Sequence, residues 1–274
     1  MAPTGEIEIT FLGTGTSHGV PMIGCDCAVC RSEDPRDRRH RASIALRSPE
    51  GRVLLIDTAP ELRLSAVATG LDRVDAICYT HAHADHIMGL DDVRRFNDLV
   101  GTTIPAYGRP EALAVLRRAF GYAEGEFEAT PDHRPSVRYE PFEAPRDICG
   151  LHVVPVPLMH GREVISGYRV GGFAYCTDCS AIPDESVPLL ADLDLLVIDA
   201  LRPTPHPAHF SLPEALEAIA RLGPRRALLT HITHHLPHAR TGRDLPPGVE
   251  MAYDGLVVTA PAGTGDRRPA TGER

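Results

Sequence analysis

The segment DAICYTHAHADHIMGL, residues 75–90, constrains the fold more than any other part of the chain. A short apolar run gives way at once to His81, His83, Asp85 and His86. Read as a buried strand, the run must hand over to a loop at that point. Alternate residues of an extended segment face one side, so His81 and His83 can converge on a single point. Asp85 and His86 then belong to the turn and helix start, and project to a neighbouring point. Two close points, each with imidazole or carboxylate donors, suit a pair of divalent cations. The donors fit Zn²⁺, and Mn²⁺ or Fe²⁺ tolerate the same set. Four side chains cannot hold two ions, so other strand ends have to supply the rest.

Three segments offer them. PVPLMHGREV ends in His160, FAYCTDCS carries Asp178, and RALLTHITHH carries His231. Each donor stands where an apolar run gives out. The surrounding pattern predicts a first strand in EIEITFLG, then a hairpin of SIALRS and RVLLIDTA turning at Pro49, Glu50 and Gly51. It predicts helices over residues 60–69, from near Asp85 through DDVRRFNDLV, over PEALAVLRRAFGY and over SLPEALEAIARLG. Further strands are DAICYT, TIPAYG, LHVVPVPLM, ISGYRVGG, FAYCTD, LDLLVIDA, RRALLT and GLVVTA. Residues 121–147 have no clear period and read as a loop-dominated excursion. Hairpins first, then strands interleaved with helices, with that order repeated, imply a four-layer α/β sandwich of two mixed sheets. Residues 1–260 are expected to form one domain and 261–274 a disordered tail.

Composition narrows the function. A hydrophobic fraction of 43% suffices for a core, and no run reaches the roughly 18 apolar residues of a spanning helix. The start MAPTGEIEIT lacks the basic and apolar regions of a secretory signal, which predicts a cytoplasmic protein without membrane attachment. The net charge of −9 argues against a nucleic-acid partner. In a reducing compartment, cysteines point to metal or thiol roles. Cys25, Cys27 and Cys30 in GCDCAVC have metal-ligand spacing, but a closed structural zinc site needs four ligands. His234, three residues beyond His231, is the leading fourth candidate, with His235 and His238 as competitors. Cys78 and Cys149 read as small core residues. The CTDC stretch lacks the βαβ context of a redox pair, and GTGTSHG is not a dinucleotide fingerprint.

THAHADHIMGL resembles the H-x-H-x-D-H signature of the metallo-β-lactamase-fold hydrolases, and Asp57 in LLIDTAPELR fits an early aspartate of that family. The resemblance spans residues 6–260. It implies that His81, His83 and His160 hold one metal, that Asp85, His86 and His231 hold the other, and that Asp178 bridges them. Asp57 would orient one metal-bound histidine. FLGTGTSHGVP…GCDCAVC together with HITH resembles the phosphoribosyl 1,2-cyclic phosphate phosphodiesterases of phosphonate breakdown, which carry a similar Cys₃His structural zinc. A coenzyme PQQ biosynthesis protein shares the fold and a comparable cysteine motif, so the clip alone does not decide the reaction. His209, in PAHFSLPEA before a helix, resembles a histidine that assists the leaving group in phosphodiesterase members; His206 is its rival. His18 and Arg202 are candidate substrate contacts. The function implied is a dinuclear metal hydrolase of a small phosphodiester, using Zn or Mn, with one further structural Zn. Hydrolysis of a thioester, lactone or other ester, or a non-catalytic biosynthetic role, are the alternatives. A homodimer is an admissible assembly.

Overall fold

In EIEITFLG the period of two places Ile7, Ile9 and Phe11 in the core and leaves Glu6 and Glu8 exposed, which makes it strand β1 (Glu6–Gly13). The computed structural model describes residues 5–128 and 134–263. β2 (Ser43–Arg47) and β3 (Val53–Ile56) pair antiparallel around a turn that puts Gly51 at φ +79°. β4 (Ala76–Cys78), β5 (Ile104–Gly108) and β6 (Val137–Pro141) then add in parallel. Their crossovers carry α1 (Leu62–Thr69), α2 (Ala84–Ile87), α3 (Val93–Val100) and α4 (Pro110–Phe120).

The second sheet opens with antiparallel β7 (Arg146–Ile148), β8 (Leu151–His160), β9 (Glu163–Val170) and β10 (Phe173–Cys176). It continues in parallel through β11 (Leu195–Asp199), β12 (Arg226–Thr230) and β13 (Val249–Met251). α5 (Leu212–Leu222) and α6 (His238–Asp244) lie in its crossovers. β14 (Val257–Pro261) returns to the first sheet beside β1, giving two seven-stranded sheets.

Ile9, Phe11, Ile44 and Leu54 of one sheet meet Tyr168, Phe173, Tyr175 and Val197 of the other in the central core. A second apolar layer sets Val53, Leu55 and Ile77 against Leu62, Phe96 and Leu116 of the first helices. A third sets Leu196, Ile198 and Leu229 against Ala215 and Ile219 of α5. The result is an αββα sandwich. All five residues of β11 are buried, as a parallel strand covered on both faces requires.

Several boundaries differ from the sequence reading. The helix expected from Asp85 breaks into α2, a 3₁₀ turn at Leu90–Asp92, and α3. A side chain at Gly89 would collide with the Ala59 carbonyl oxygen, 2.0 Å from where its Cβ would sit, so the chain bends against its neighbour there. The 121–147 excursion contains β6 and the start of β7, short strands whose polar outward residues hide the alternation. β13 and α6 were also missed; HARTGRD carries no apolar stripe. β14 runs through Pro261, paired with Glu6, and residues 264–274 of the expected tail lie outside the described residues.

Candidate metal centre

The parallel strands of both sheets end at one edge, and donors follow their carboxyl ends. Asp57 follows β3, His81 to His86 follow β4, and His160 ends β8. Asp178 follows β10, Asp199 ends β11 and His231 follows β12. Asp57, Asp178 and His231 adopt left-handed backbone at φ +63°, +55° and +56°. That conformation is strained for residues with a Cβ and clusters at functional sites. The sheets are tied together at this edge: Ser166 N–H donates to the Thr80 carbonyl at 3.0 Å, and the Tyr168 hydroxyl donates to the Tyr79 carbonyl at 2.6 Å.

Two groups of donors form there, His81/His83/His160 and Asp85/His86/Asp178/His231. Asp178 faces both: Oδ1 lies 3.2 Å from His86 Nε2, and Oδ2 lies 3.1 Å from His231 Nε2 and 3.9 Å from His81 Nε2. The outer nitrogens are fixed. His86 Nδ1–H donates to Asp57 Oδ2 at 2.7 Å, and His160 Nδ1–H donates to the Asp178 carbonyl at 2.7 Å. The Thr80 hydroxyl donates to Asp57 at 2.8 Å, so His81 Nδ1–H donates to that hydroxyl at 3.0 Å. Each ring therefore turns an Nε2 lone pair inward, as metal-ligating histidines do. The Nε2 atoms of His81, His86 and His231 are buried without a hydrogen bond. Buried polar atoms with no partner are costly, and a cation supplies the missing one. By donor chemistry the residues fit a pair of divalent ions.

The electrostatics agree. Burial opposes a charge on His86, yet Asp178 and Asp57 hold its pKa well above the ordinary value. Burial likewise opposes a charge on His231, but Asp178, Asp85 and Asp199 push it up to about 9. Burial would raise Asp178, and His231 and His86 hold it well below the carboxylate range instead. The carboxylates thus demand positive charge between themselves and the imidazoles. His81, buried beside His86, is pushed well down.

His209 sits next to both groups. Its ring stacks on His231 at 4.8 Å between centroids and meets His160 edge-on at 4.7 Å. Its Nδ1 is 2.8 Å from Asp199 Oδ2. Burial, then the charge of His231, push His209 down to about 4, and burial pushes Asp199 well up. Sequence reasoning missed Asp199, although it ends the apolar run LDLLVID just as Asp178 follows FAYCT. Asp199 Oδ1 is also 3.8 Å from His231 Nδ1. A cavity of about 350 Å³ opens beside His209, lined also by Thr16, His18, Arg202 and His206. Arg202 lines it at the rim, with Nε and Nη2 donating to the carbonyls of Thr204 and Pro205. His206 accepts from Ala208 N–H at Nδ1, which leaves an Nε2–H donor on that ring.

The cysteines gather separately. Nδ1 of His234 lies 3.3, 3.7 and 3.4 Å from the sulfurs of Cys25, Cys27 and Cys30, a Cys₃His set with tetrahedral zinc chemistry. Its competitors are placed otherwise: His235 bonds Thr233 Oγ1, and His238 is buried against Asp37. Cys78, Cys176 and Cys179 are buried in the apolar layers.

A family model described as the beta-lactamase superfamily domain matches residues 52–232. An octanoyltransferase of Porphyromonas gingivalis is 36% identical over 250 residues, covering 90% of this chain; the chain spans 50% of that protein's length. A coenzyme PQQ synthesis protein B of Rhodopseudomonas palustris is 30% identical over 312 residues, covering 92% of this chain and 99% of that one. The crystal structure of a diphosphatase from the PhnP family superposes with a TM-score of 0.85 at 43% identity, covering 92% of this chain and 97% of that one. With the inward-facing donors at the strand ends, these likenesses place the chain in the beta-lactamase superfamily, with the metallo-β-lactamase fold.

Proposed function

We propose that the chain is a metal-dependent hydrolase of small phosphodiesters, with a cyclic diester such as phosphoribosyl 1,2-cyclic phosphate as the leading substrate class. The observation that carries this reading is the Asp199–His209 pair set 2.8 Å apart beside the Asp178-centred donors and opening on the cavity. In this reading His81, His83 and His160 would hold one ion, Asp85, His86 and His231 the second, and Asp178 would serve both. The pair would take zinc or manganese, and Cys25, Cys27, Cys30 and His234 would hold a structural zinc. When bound, divalent cations supply Lewis acidity to a phosphoryl group and an activated water at neutral pH.

The chain's own residues do the rest. Asp57 fixes the tautomer of His86 and Thr80 that of His81, so each offers a lone pair where charge is needed. Asp199 engages Nδ1 of His209, which leaves only Nε2 to face the cavity. With Asp199 pushed up and His209 down, the shared proton sits on Asp199 and Nδ1 accepts its hydrogen bond, so Nε2–H faces the cavity. As Nε2 gives its proton to the departing alkoxide, Nδ1 takes the Asp199 proton, and the pair recovers one from solvent. His18 and Arg202 border the cavity as substrate contacts. A net charge of −9 with a local histidine and arginine lining favours a small anionic substrate over nucleic acid. Among the described residues no helix is long and apolar enough to cross a membrane. A cytoplasmic setting belongs to the same reading.

The likeness to a PhnP-family diphosphatase favours a second substrate, a diphosphate, whose leaving group is itself a phosphate. The test is turnover by the metal-loaded protein on bis(p-nitrophenyl) phosphate, a ribose cyclic phosphate, a nucleoside diphosphate ester, a glutathione thioester and a lactone. Highest kcat/KM on a phosphodiester is expected. A clear preference for the diphosphate selects the second reading, and activity confined to the thioester or lactone overturns both.

A further inference from the structure

Arg39 is 1% exposed and heads the fully buried side chains by size. Its guanidinium joins its own segment to one loop, with Nε donating to the Arg36 carbonyl at 3.4 Å. Nη1 donates to the Thr233 carbonyl at 2.7 Å, and Nη2 donates to the Leu236 carbonyl at 2.8 Å and to Asp37 Oδ1 at 2.9 Å. The same Asp37 oxygen accepts from His238 N–H at 2.8 Å. The pair therefore holds three backbone groups of residues 233–238, the segment between β12 and α6. The backbone of Arg39 grips the opposite wall: its N–H donates to Val20 O at 2.8 Å, and Val20 N–H donates back at 2.9 Å. Val20 packs with Val29 and Cys30, and with the partly buried Cys25 and Cys27.

We propose that Arg39 is a positioning residue that sets both metal clusters through the loop they share; this rests on the reading that the clusters hold metal ions. His231 belongs to one cluster and His234 to the other, with the gripped Thr233 carbonyl between them. Thr233 extends the connection, since its N–H and hydroxyl donate to the Leu201 carbonyl at 3.0 and 2.8 Å, and Leu201 N–H donates to Phe210 O at 2.9 Å. Phe210 follows His209. One buried guanidinium thus stands at the head of a hydrogen-bonded path to His234, His231 and His209. A planar fork with several N–H groups reaches separate carbonyls and a carboxylate at once, which a lysine ammonium on its flexible stem does not reproduce.

The test uses the full chain reconstituted with Co²⁺, whose thiolate charge-transfer band reports the cysteine cluster without reference to turnover. Arg39→Met is expected to weaken Co²⁺ binding at the cysteine cluster about 10- to 100-fold, the range for losing an outer support of a metal ligand. It should lower kcat on bis(p-nitrophenyl) phosphate by a similar factor, with a smaller change in KM. Arg39→Lys should recover part of both. Leu116→Ala, in the buried layer under α4, is the control: it lowers Tm at least as far while leaving the Co²⁺ band and affinity unchanged. Wild-type Co²⁺ affinity in Arg39→Met, or an equal loss in Leu116→Ala at matched Tm, overturns the inference. Should Arg39→Met fail to fold, Arg39→Lys decides, and unaltered affinity there overturns it too. If wild type binds no Co²⁺ at either cluster, the metal reading falls and takes the inference with it.

Discussion

Around Asp178 and His86 every supporting segment is the end of a sheet strand backed by apolar layers, whereas around Cys25, Cys27 and Cys30 the buried apolar side chains are Val20 and Val29. The first group holds its shape through the core. Tyr168 and Ser166 pin its backbone from the opposite sheet, and three of its residues are kept in left-handed backbone. The second group has Ile23 beside it 97% exposed, and among the described residues its apolar packing is the small cluster around Val20, Val29 and Cys30. On the proposed reading, the contrast teaches that one site is built by the fold and would receive its ions, while the other would take much of its order from its ion. They meet in a single loop, where His231 and His234 are three residues apart.

The strongest way to break this comparison is at Asp178. Replacing it by Ala removes the carboxylate that faces both donor groups, so turnover should fall on the order of 10³-fold or more and active-site metal content should drop. The sheets should stay folded, because the residue lies beyond the end of β10 and supports no apolar layer. Turnover assays, elemental analysis and far-UV circular dichroism on one preparation check all three. Full activity with full metal content contradicts the assignment, and a collapsed spectrum contradicts the claim that the fold builds this site. At the cysteine cluster the pattern should invert. Cys27→Ser is expected to cost about one bound zinc and to open residues 20–38 to limited proteolysis, with the ions at the strand ends retained. Equal protease resistance in wild type and variant would show that the loop is ordered without its ion.

The same contrast decides what could be read from sequence. The strand-end donors were legible because each is a polar residue at the edge of an apolar run, and an apolar run of strand length has few other ways to end. His160, Asp178 and His231 belong to different segments yet follow one rule. Asp199 follows it too and was passed over, since a lone acid at a strand end acquires meaning only once His209 is known to reach it. Arg39 was invisible for a different reason. In a chain whose basic residues are all arginine, nothing local marks the one that folds inward, and its partners at 233 and 236 are backbone carbonyls. The strained φ at Asp57, Asp178 and His231 is a tertiary property imposed by the loops that follow the strands. β6, β7 and α6 were missed because their outward faces are polar or their length is too short for a period to show.

His238 provides the finest test, through pH. In the strand-end site, facing carboxylates raise the pKa values of His86 and His231. Near the cysteine loop the balance is opposite: burial, then the charges of Arg36 and Arg39, push His238 down to about 4, against smaller upward pulls from Asp34 and Asp37. Its ring packs edge-on against Tyr253, and Nδ1 is buried without a hydrogen bond. The fold therefore prefers the neutral ring, while the unfolded chain titrates near the ordinary 6.5. Stability from this group is complete above that value and is lost as pH falls from about 6.5 toward 4, because the unfolded chain takes up a proton that the native ring resists. The loss should be on the order of 2 kcal/mol. Urea unfolding of wild type and His238→Phe between pH 7 and 4.5 isolates it, since other carboxylates and metal release by acid are common to both. The variant should lose less stability over that window than wild type. Parallel curves would mean that the imidazole reaches water on protonation, and that the packing around Arg39 is looser than the clamp on residues 233–238 requires.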